Sequence, residues 1–138
     1  QIVWAQSPNL QGNWTDETFR PRFAGKERVD LLGEDCYQWG DEESFMLGAS
    51  ADVKYLSALA HANDMLFAIT ECGRVNSDIP DWWSRVFLPV TEGAEACYCL
   101  PWRNWHAEHF GVAKETTTAE DVKALYEQGK FLLLGDMK

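Results

Sequence analysis

The sequence predicts an α/β protein in which parallel β-strands alternate with helices. Four short apolar or β-branched runs, at residues 2–6, 29–33, 65–70 and 96–100, each lead into a polar or aromatic cluster. The residues that mark these clusters are 30, 34 and 31 positions apart, which is the length of a strand–helix repeat. They are Ser7, Tyr37, Glu71 and Trp102.

The first clear helical pattern lies between the second and third runs. Apolar residues recur at helical spacing over residues 53–60, so we expect Ser50 to cap a helix that closes near Asn63. In this pattern Asp52 falls on the face directed toward solvent.

A second helix is predicted near the end of the chain. Thr118 and Asp121 have the spacing of a capping box, and Gly129 provides a stop. Weaker patterns cover residues 16–20 and 80–88, where a proline suits a first helical turn.

The alternation implies right-handed crossovers between parallel strands, in a sheet that is covered on both faces or rolled into a barrel. In both cases functional residues gather at the carboxyl ends of the strands. A nucleotide-binding sheet is disfavoured, because no glycine-rich phosphate loop follows a strand.

Four units in 138 residues make about half of a typical ~250-residue (β/α)8 barrel. A half barrel leaves two strands unpaired, and the chain begins at Gln1 in a strand-like run. We therefore expect residues 1–138 to be half of one domain, cut from a longer protein.

Composition excludes several classes of function. The formal charge of −10 argues against binding of nucleic acid, since the basic residues are scattered. A hydrophobic content of 46% excludes intrinsic disorder. No apolar stretch approaches the ~20 residues of a membrane helix, and the start lacks a signal-peptide pattern.

Tryptophan is abundant, with seven residues that recur beside polar neighbours. Buried aromatic residues usually form core. Aromatic faces beside Asp, Asn and Arg also suit carbohydrate, because sugar C–H faces pack on the ring while hydroxyls form hydrogen bonds.

Five segments, in this order, resemble strands five to eight of a glycoside hydrolase family 26 β-mannanase. The segments are VWAQSPN at 3–9, VDLLGEDCYQ at 29–38, FAITECG at 67–73, WRN at 102–104 and KFLLL at 130–134. The resemblance spans essentially the whole chain and implies the C-terminal half of a (β/α)8 barrel.

The resemblance also implies a retaining endo-hydrolase of β-1,4-mannans that uses two glutamates. Glu71 matches the nucleophile, and Tyr37 matches the tyrosine that hydrogen-bonds it. A phenol donor favours the ionised carboxylate that attack on the anomeric carbon needs. The alternatives are that Glu71 is a solvated glutamate after a strand and that Tyr37 is a rim tyrosine with a hydrated hydroxyl.

Three further residues are implied to bind substrate. Trp102 matches the sugar platform at the cleavage subsite, and Arg103 is placed to bind hydroxyls one subsite further on. Trp39 could line an outer subsite. Loop packing explains Trp39 equally well, and a salt bridge to a nearby acid explains Arg103.

In the family, the acid/base glutamate follows strand four in a Trp-His-Glu context. The sequence contains no such segment, because His106 is followed by Ala107 and not by a glutamate. The expected partner is therefore an N-terminal barrel half that carries the proton donor. Without it hydrolysis should fail, because general acid catalysis is worth roughly 10² to 10⁴ in rate.

The substrate expected from the resemblance is mannan or a manno-oligosaccharide. A β-xylanase or mixed-linkage glucanase of the same family, and a non-catalytic carbohydrate-binding fragment, remain open. Because a polysaccharide cannot enter a cell, we expect secretion to the periplasm, cell surface or medium.

No cofactor and no metal are expected, as the histidines lack ligand spacing. The four cysteines permit three pairings, and free buried thiols are the simplest assignment. Glu34 departs from the family pattern, and a carboxylate buried there would be costly without a partner.

Overall fold

The computed structural model describes residues 2–75, 79–102 and 111–137. They contain one sheet of four parallel strands, which neighbour one another in chain order. The strands are β1 (Ala5–Gln6), β2 (Leu31–Gln38), β3 (Leu66–Arg74) and β4 (Ala96–Pro101). This confirms the predicted α/β fold, since parallel strands in sequential order with helical crossovers are the arrangement of part of a (β/α)8 barrel.

Helices connect the strands and cover one face of the sheet. They are α1 (Glu42–Ala62), a π-helical turn (Trp83–Phe87) that runs into α2 (Leu88–Val90), and α3 (Ala119–Glu127). Short 3₁₀ turns lie at Arg20–Arg22 and Leu134–Asp136. Gly129 follows α3 with φ 69°, so it ends this helix as predicted.

The hydrophobic core lies between this helical layer and the sheet. Alternate residues of β2 and β3, among them Leu32, Cys36 and Phe67, point into it and meet the apolar face of α1. Buried positions of α1 recur every three or four residues at Phe45, Ala49, Val53, Leu56 and Ala60. The opposite face of the sheet therefore corresponds to the barrel interior.

The helix that Ser50 is predicted to cap begins nine residues earlier. Asp41 is its cap, because the Asp41 carboxylate accepts a 2.8 Å hydrogen bond from the Ser44 amide. Gly48, which weakens the helical pattern in the sequence, is needed there. A Cβ at Gly48 would stand 3.0 Å from the Cα of Gly12, so the helix and the loop after β1 pack in direct backbone contact.

Two further sequence expectations about helices are wrong. Asp52 does not face solvent but is fully buried. Thr118 stands at the cap of α3, but its hydroxyl makes no capping bond, and Asp121 instead accepts the amide hydrogen of Ser84 at 3.0 Å. In both cases the carboxylate accepts hydrogen bonds from backbone amides that are distant in the sequence.

Candidate active site at the carboxyl ends of the strands

Tyr37 and Glu71 meet at the carboxyl-terminal part of two neighbouring strands. Tyr37 lies in β2 and Glu71 in β3, and the tyrosine hydroxyl donates a 2.8 Å hydrogen bond to Glu71 Oε2. Burial and the adjacent Glu71 carboxylate raise the pKa of Tyr37 well above its ordinary value. The phenol therefore stays protonated and remains a donor.

A bulge in β3 turns Glu71 toward Tyr37. Ile69 and Cys72 both point into the core, although strict alternation would place them on opposite faces. Between them the register shifts, so that Glu34 pairs with Ile69 but Asp35 pairs with Glu71. The extra residue in β3 keeps Glu71 on the barrel-interior face. Sequence spacing alone does not reveal this shift.

A hydrogen-bond network beside this pair joins β2, β3 and the residue that follows β1. Asp35 Oδ1 accepts a 2.7 Å hydrogen bond from Ser7 and a 3.1 Å bond from Thr70, and the Ser7 and Thr70 hydroxyls also contact each other. Gly33 makes room for the network, because a Cβ there would stand 2.5 Å from Thr70 Cγ2. Sequence reasoning missed the role of Asp35, although it lies in the motif that ends β2.

A cavity of about 660 Å³ opens next to Tyr37 at this end of the sheet. Trp39 forms one wall; its side chain is 64% exposed, and its ring lies 6.3 Å from that of Tyr37. The other lining residues include Asn9, Gln11, Asp35, Asp41 and Ser44. The cavity thus combines aromatic faces with polar groups, the combination that suits a sugar.

The structure places Trp102 in a different environment. Its backbone amide donates to the Cys72 carbonyl at 2.9 Å, directly after β4. Trp102 lines a second, largely apolar cavity of about 600 Å³, together with Trp83 and Phe87. Arg103 lies outside the described residues, as do Trp105, His106, Glu108 and His109.

Glu34 occupies the opposite face of β2 from Tyr37. It is fully buried, and neither of its carboxyl oxygens accepts a hydrogen bond from the described part of the chain. Burial, followed by the adjacent Asp52 and Asp35 carboxylates, raises the pKa of Glu34 to about 9. Glu34 is thus a neutral buried acid near Asp52, and not a rim residue of the site.

Asp52 holds the loop that follows β1. Its carboxylate accepts backbone hydrogen bonds from Gln11 at 2.9 Å, Gly12 at 2.5 Å and Trp14 at 2.7 Å. The neutral Glu34 carboxyl lies close to this carboxylate. This buried pair fixes one wall of the cavity beside Tyr37.

Within residues 2–75, 79–102 and 111–137, no group of three or more His, Cys, Asp or Glu side chains could hold a metal ion. Over the same ranges, no helix has the length and apolar character needed to cross a membrane.

No protein-family model and no curated protein matches its sequence. Solved structures do match. A GH26 β-mannanase from Bacteroides ovatus is 26% identical with a TM-score of 0.88, and the match covers 99% of this chain and 40% of that one.

Two further structures share the fold at lower identity. A Cellulomonas fimi endo-β-1,4-mannanase double mutant has a TM-score of 0.78 at 24% identity, covering 99% of this chain and 32% of its own. GH26C from a Muricauda species has a TM-score of 0.82 at 19% identity, with coverages of 99% and 38%. The chain thus spans about one third to two fifths of the length of these proteins, and over almost its whole length it has the fold of part of a glycoside hydrolase family 26 β-mannanase, as its sequence motifs predicted.

Proposed function

We propose that this chain is the nucleophile-bearing part of a retaining glycoside hydrolase that cleaves β-1,4-mannosidic bonds. The observation that carries the proposal is the 2.8 Å hydrogen bond from Tyr37 to Glu71 at the carboxyl ends of adjacent parallel strands. It joins two residues that the resemblance pairs, in a chain that shares its fold with β-mannanases.

The geometry fits a double displacement. Glu71 attacks the anomeric carbon through one carboxylate oxygen, while Tyr37 holds the other oxygen and fixes the orientation of the carboxylate. A second carboxyl group, ~5 to 5.5 Å away, protonates the leaving oxygen and then deprotonates the water that hydrolyses the glycosyl–enzyme.

That second group is proposed to come from the remainder of the barrel. Asp35 is the nearest carboxylate in register with Glu71, but it accepts hydrogen bonds from two hydroxyls, which suits a structural acceptor better than a proton donor. The exposed β4 edge and the exposed Val3 and Trp4 before β1 offer surface to a further set of strands.

The substrate is proposed to be mannan or a manno-oligosaccharide. The cavity lined by Tyr37 and Trp39 lies beside Glu71's hydrogen-bond partner and provides an aromatic wall for a bound sugar unit. Trp102 and Arg103 are proposed as further sugar-binding residues on the resemblance alone. Export to the periplasm, cell surface or medium is proposed because the polymer cannot cross a membrane.

Replacement of Glu71 tests the proposal in the complete enzyme. Glu71→Gln is expected to abolish turnover of mannan while retaining affinity for manno-oligosaccharide, and the exposed Glu127→Gln is the control that should keep full activity. Release of reducing sugar measures turnover, and calorimetry measures binding. Near-normal activity of Glu71→Gln would remove Glu71 from the role.

Azide rescue distinguishes a nucleophile from an acid/base residue. With Glu71→Ala and a dinitrophenyl β-mannoside, whose leaving group needs no proton, azide should restore turnover and yield the α-mannosyl azide, because it enters from the side that Glu71 occupied. A β-mannosyl azide would assign Glu71 to acid/base catalysis instead.

A panel of mannan, xylan and mixed-linkage glucan tests the substrate, and a preference for either of the last two would overturn the mannan assignment.

A further inference from the structure

Three of the four cysteines lie side by side on adjacent strands, on the face of the sheet opposite Glu71. Cys36 in β2 stands in register with Cys72 in β3, and the sulfur of Cys72 is 3.2 Å from that of Cys99 in β4. All four cysteines are free thiols. The contact between Cys72 and Cys99 joins residues 27 positions apart, so the fold alone creates it.

We propose that Cys72 and Cys99 are a redox-active dithiol that closes to an interstrand disulfide when the protein meets a small oxidising disulfide. The two sulfurs need only close from 3.2 Å to the bonding distance of about 2.05 Å. The Cys99 side chain has room for this movement, because it is exposed and borders a cavity.

The two thiols differ in access, which sets the order of the steps. Cys72 is fully buried and beyond the reach of a bulky reagent, and burial raises the pKa of its thiol well above the usual value. Cys99 is exposed and borders the apolar cavity of about 600 Å³. Cys99 is therefore the thiol that an external disulfide reaches first.

The reaction proceeds by two thiol–disulfide exchanges. The Cys99 thiolate attacks one sulfur of oxidised glutathione, forms a mixed disulfide and releases one glutathione thiolate. Cys72 then attacks Cys99 Sγ, and its proton passes to the second glutathione, which leaves as a thiol. In sum, two cysteine thiols give up two protons and two electrons, and one glutathione disulfide is reduced to two thiols.

The bond would link β3 to β4 immediately behind Glu71. Cys72 follows Glu71 in the chain, but its side chain points to the core while Glu71 points to the barrel interior. The disulfide therefore anchors the strand that carries Glu71 without entering the proposed sugar site. This inference does not depend on the activity of the protein.

The test treats the folded protein with oxidised glutathione at mildly alkaline pH. After an acid quench, free thiols are alkylated in denaturant, and the digest is analysed by mass spectrometry without reductant. We expect a linked pair of peptides containing Cys72 and Cys99, which dithiothreitol separates. A link from Cys72 to Cys36 would overturn the proposal, as would alkylated Cys72 with glutathione left on Cys99.

Single variants check the order of the steps. Cys99→Ser should leave Cys72 alkylated and unlinked, whereas Cys72→Ser should accumulate glutathione on Cys99. The exposed Cys97→Ser is the matched control on the same strand and should form the link at an unchanged rate. An unchanged yield of linked Cys72 in Cys99→Ser would contradict the assignment. If Cys72→Ser does not fold, the wild type and the Cys99 and Cys97 variants still show whether Cys72 and Cys99 form the link.

Discussion

At the scale of single residues, the proposed chemistry depends on the orientation of one carboxylate. Glu71 is held by the hydroxyl of Tyr37, which is a hydrogen bond between a neutral donor and an anion. Bonds of this kind contribute about 1.5–3 kcal/mol, so their loss has a measurable effect on rate.

Tyr37→Phe removes that hydrogen bond and keeps the aromatic ring. We expect kcat of the complete enzyme on manno-oligosaccharide to fall about 10- to 150-fold, which is the same energy expressed as a rate, with a smaller change in KM. Tyr126→Phe is a matched control, because Tyr126 in α3 donates a similar 2.9 Å bond to Asp136, in a part of the chain remote in sequence from Glu71. Equal losses in the two variants would show that the effect is not specific to Glu71.

Glu34 shows how burial changes the charge state of a residue. Its pKa rises from an ordinary 4.5 to about 9, because burial disfavours the charged carboxylate and the nearby Asp52 and Asp35 carboxylates add to this effect. Between these two values the folded protein holds a proton that the unfolded chain has lost. Glu34 therefore causes no loss in the free energy of unfolding below pH 4.5, and it lowers this free energy progressively as the pH rises toward 9.

Glu34→Gln should remove this dependence, because glutamine is neutral and its amide can donate to Asp52. We expect the free energy of unfolding at pH 7 to increase by about 3 kcal/mol, with a larger gain at pH 8.5 and a smaller one at pH 5. Urea unfolding at the three pH values measures this. The exposed Glu27→Gln controls for net charge, and a gain that is the same at all pH values would contradict the assignment of a proton to Glu34.

At the scale of elements, α1 both covers the sheet and positions the loop that follows β1. Asp41 begins the helix, and Asp52, in the middle of it, accepts three backbone N–H groups of residues 11–14. The sequence pattern predicts that a carboxylate in the middle of a helix is exposed to solvent. Here the loop supplies the donors that make its burial favourable.

Asp52→Ala leaves those three amide groups without an acceptor. We expect the free energy of unfolding to fall by about 3 kcal/mol or more, since each unsatisfied buried donor costs ~1–3 kcal/mol, and the loop to become a site of proteolysis. Urea unfolding and limited proteolysis measure the two effects. Lys54→Ala, exposed on the same helix, should change stability by no more than ~0.5 kcal/mol.

The strands show the same dependence on neighbours. The runs of residues predicted from the sequence do form β2, β3 and β4, but β2 and β3 continue past the predicted ends and contain Tyr37 and Glu71. The bulge that aims Glu71 arises between two strands. The bulge depends on how the two strands pair, so the sequence of either strand alone does not predict it.

At the scale of the whole molecule, β1 and β4 are the edge strands of the sheet in the described part of the chain, and apolar residues on and beside the strands are exposed. Leu66, Tyr98 and Leu100 are 57%, 44% and 48% exposed on β3 and β4, and Trp4 is 62% exposed before β1. Exposed apolar strands of this kind are ordinarily covered by other structure. This favours the proposal that further strands complete the barrel.

The proposed division of the catalytic groups predicts the behaviour of the 138 residues expressed alone. We expect them to release no reducing sugar from mannan above the level of Glu71→Gln, because the proton donor is proposed to lie in the remainder of the barrel, while the complete enzyme is active. Activity of the chain alone that is abolished by Asp35→Asn would overturn this division and make Asp35 the acid.

The sequence by itself determined the alternation of strands and helices, their parallel order and the family resemblance. These follow from local periodicity, turn residues and short motifs, which each segment carries alone. The tertiary structure decided the bulge beside Glu71, the burial of Glu34 with Asp52, and the contact of Cys72 with Cys99. Those features depend on strand register and on partners tens of residues away, so no local pattern specifies them.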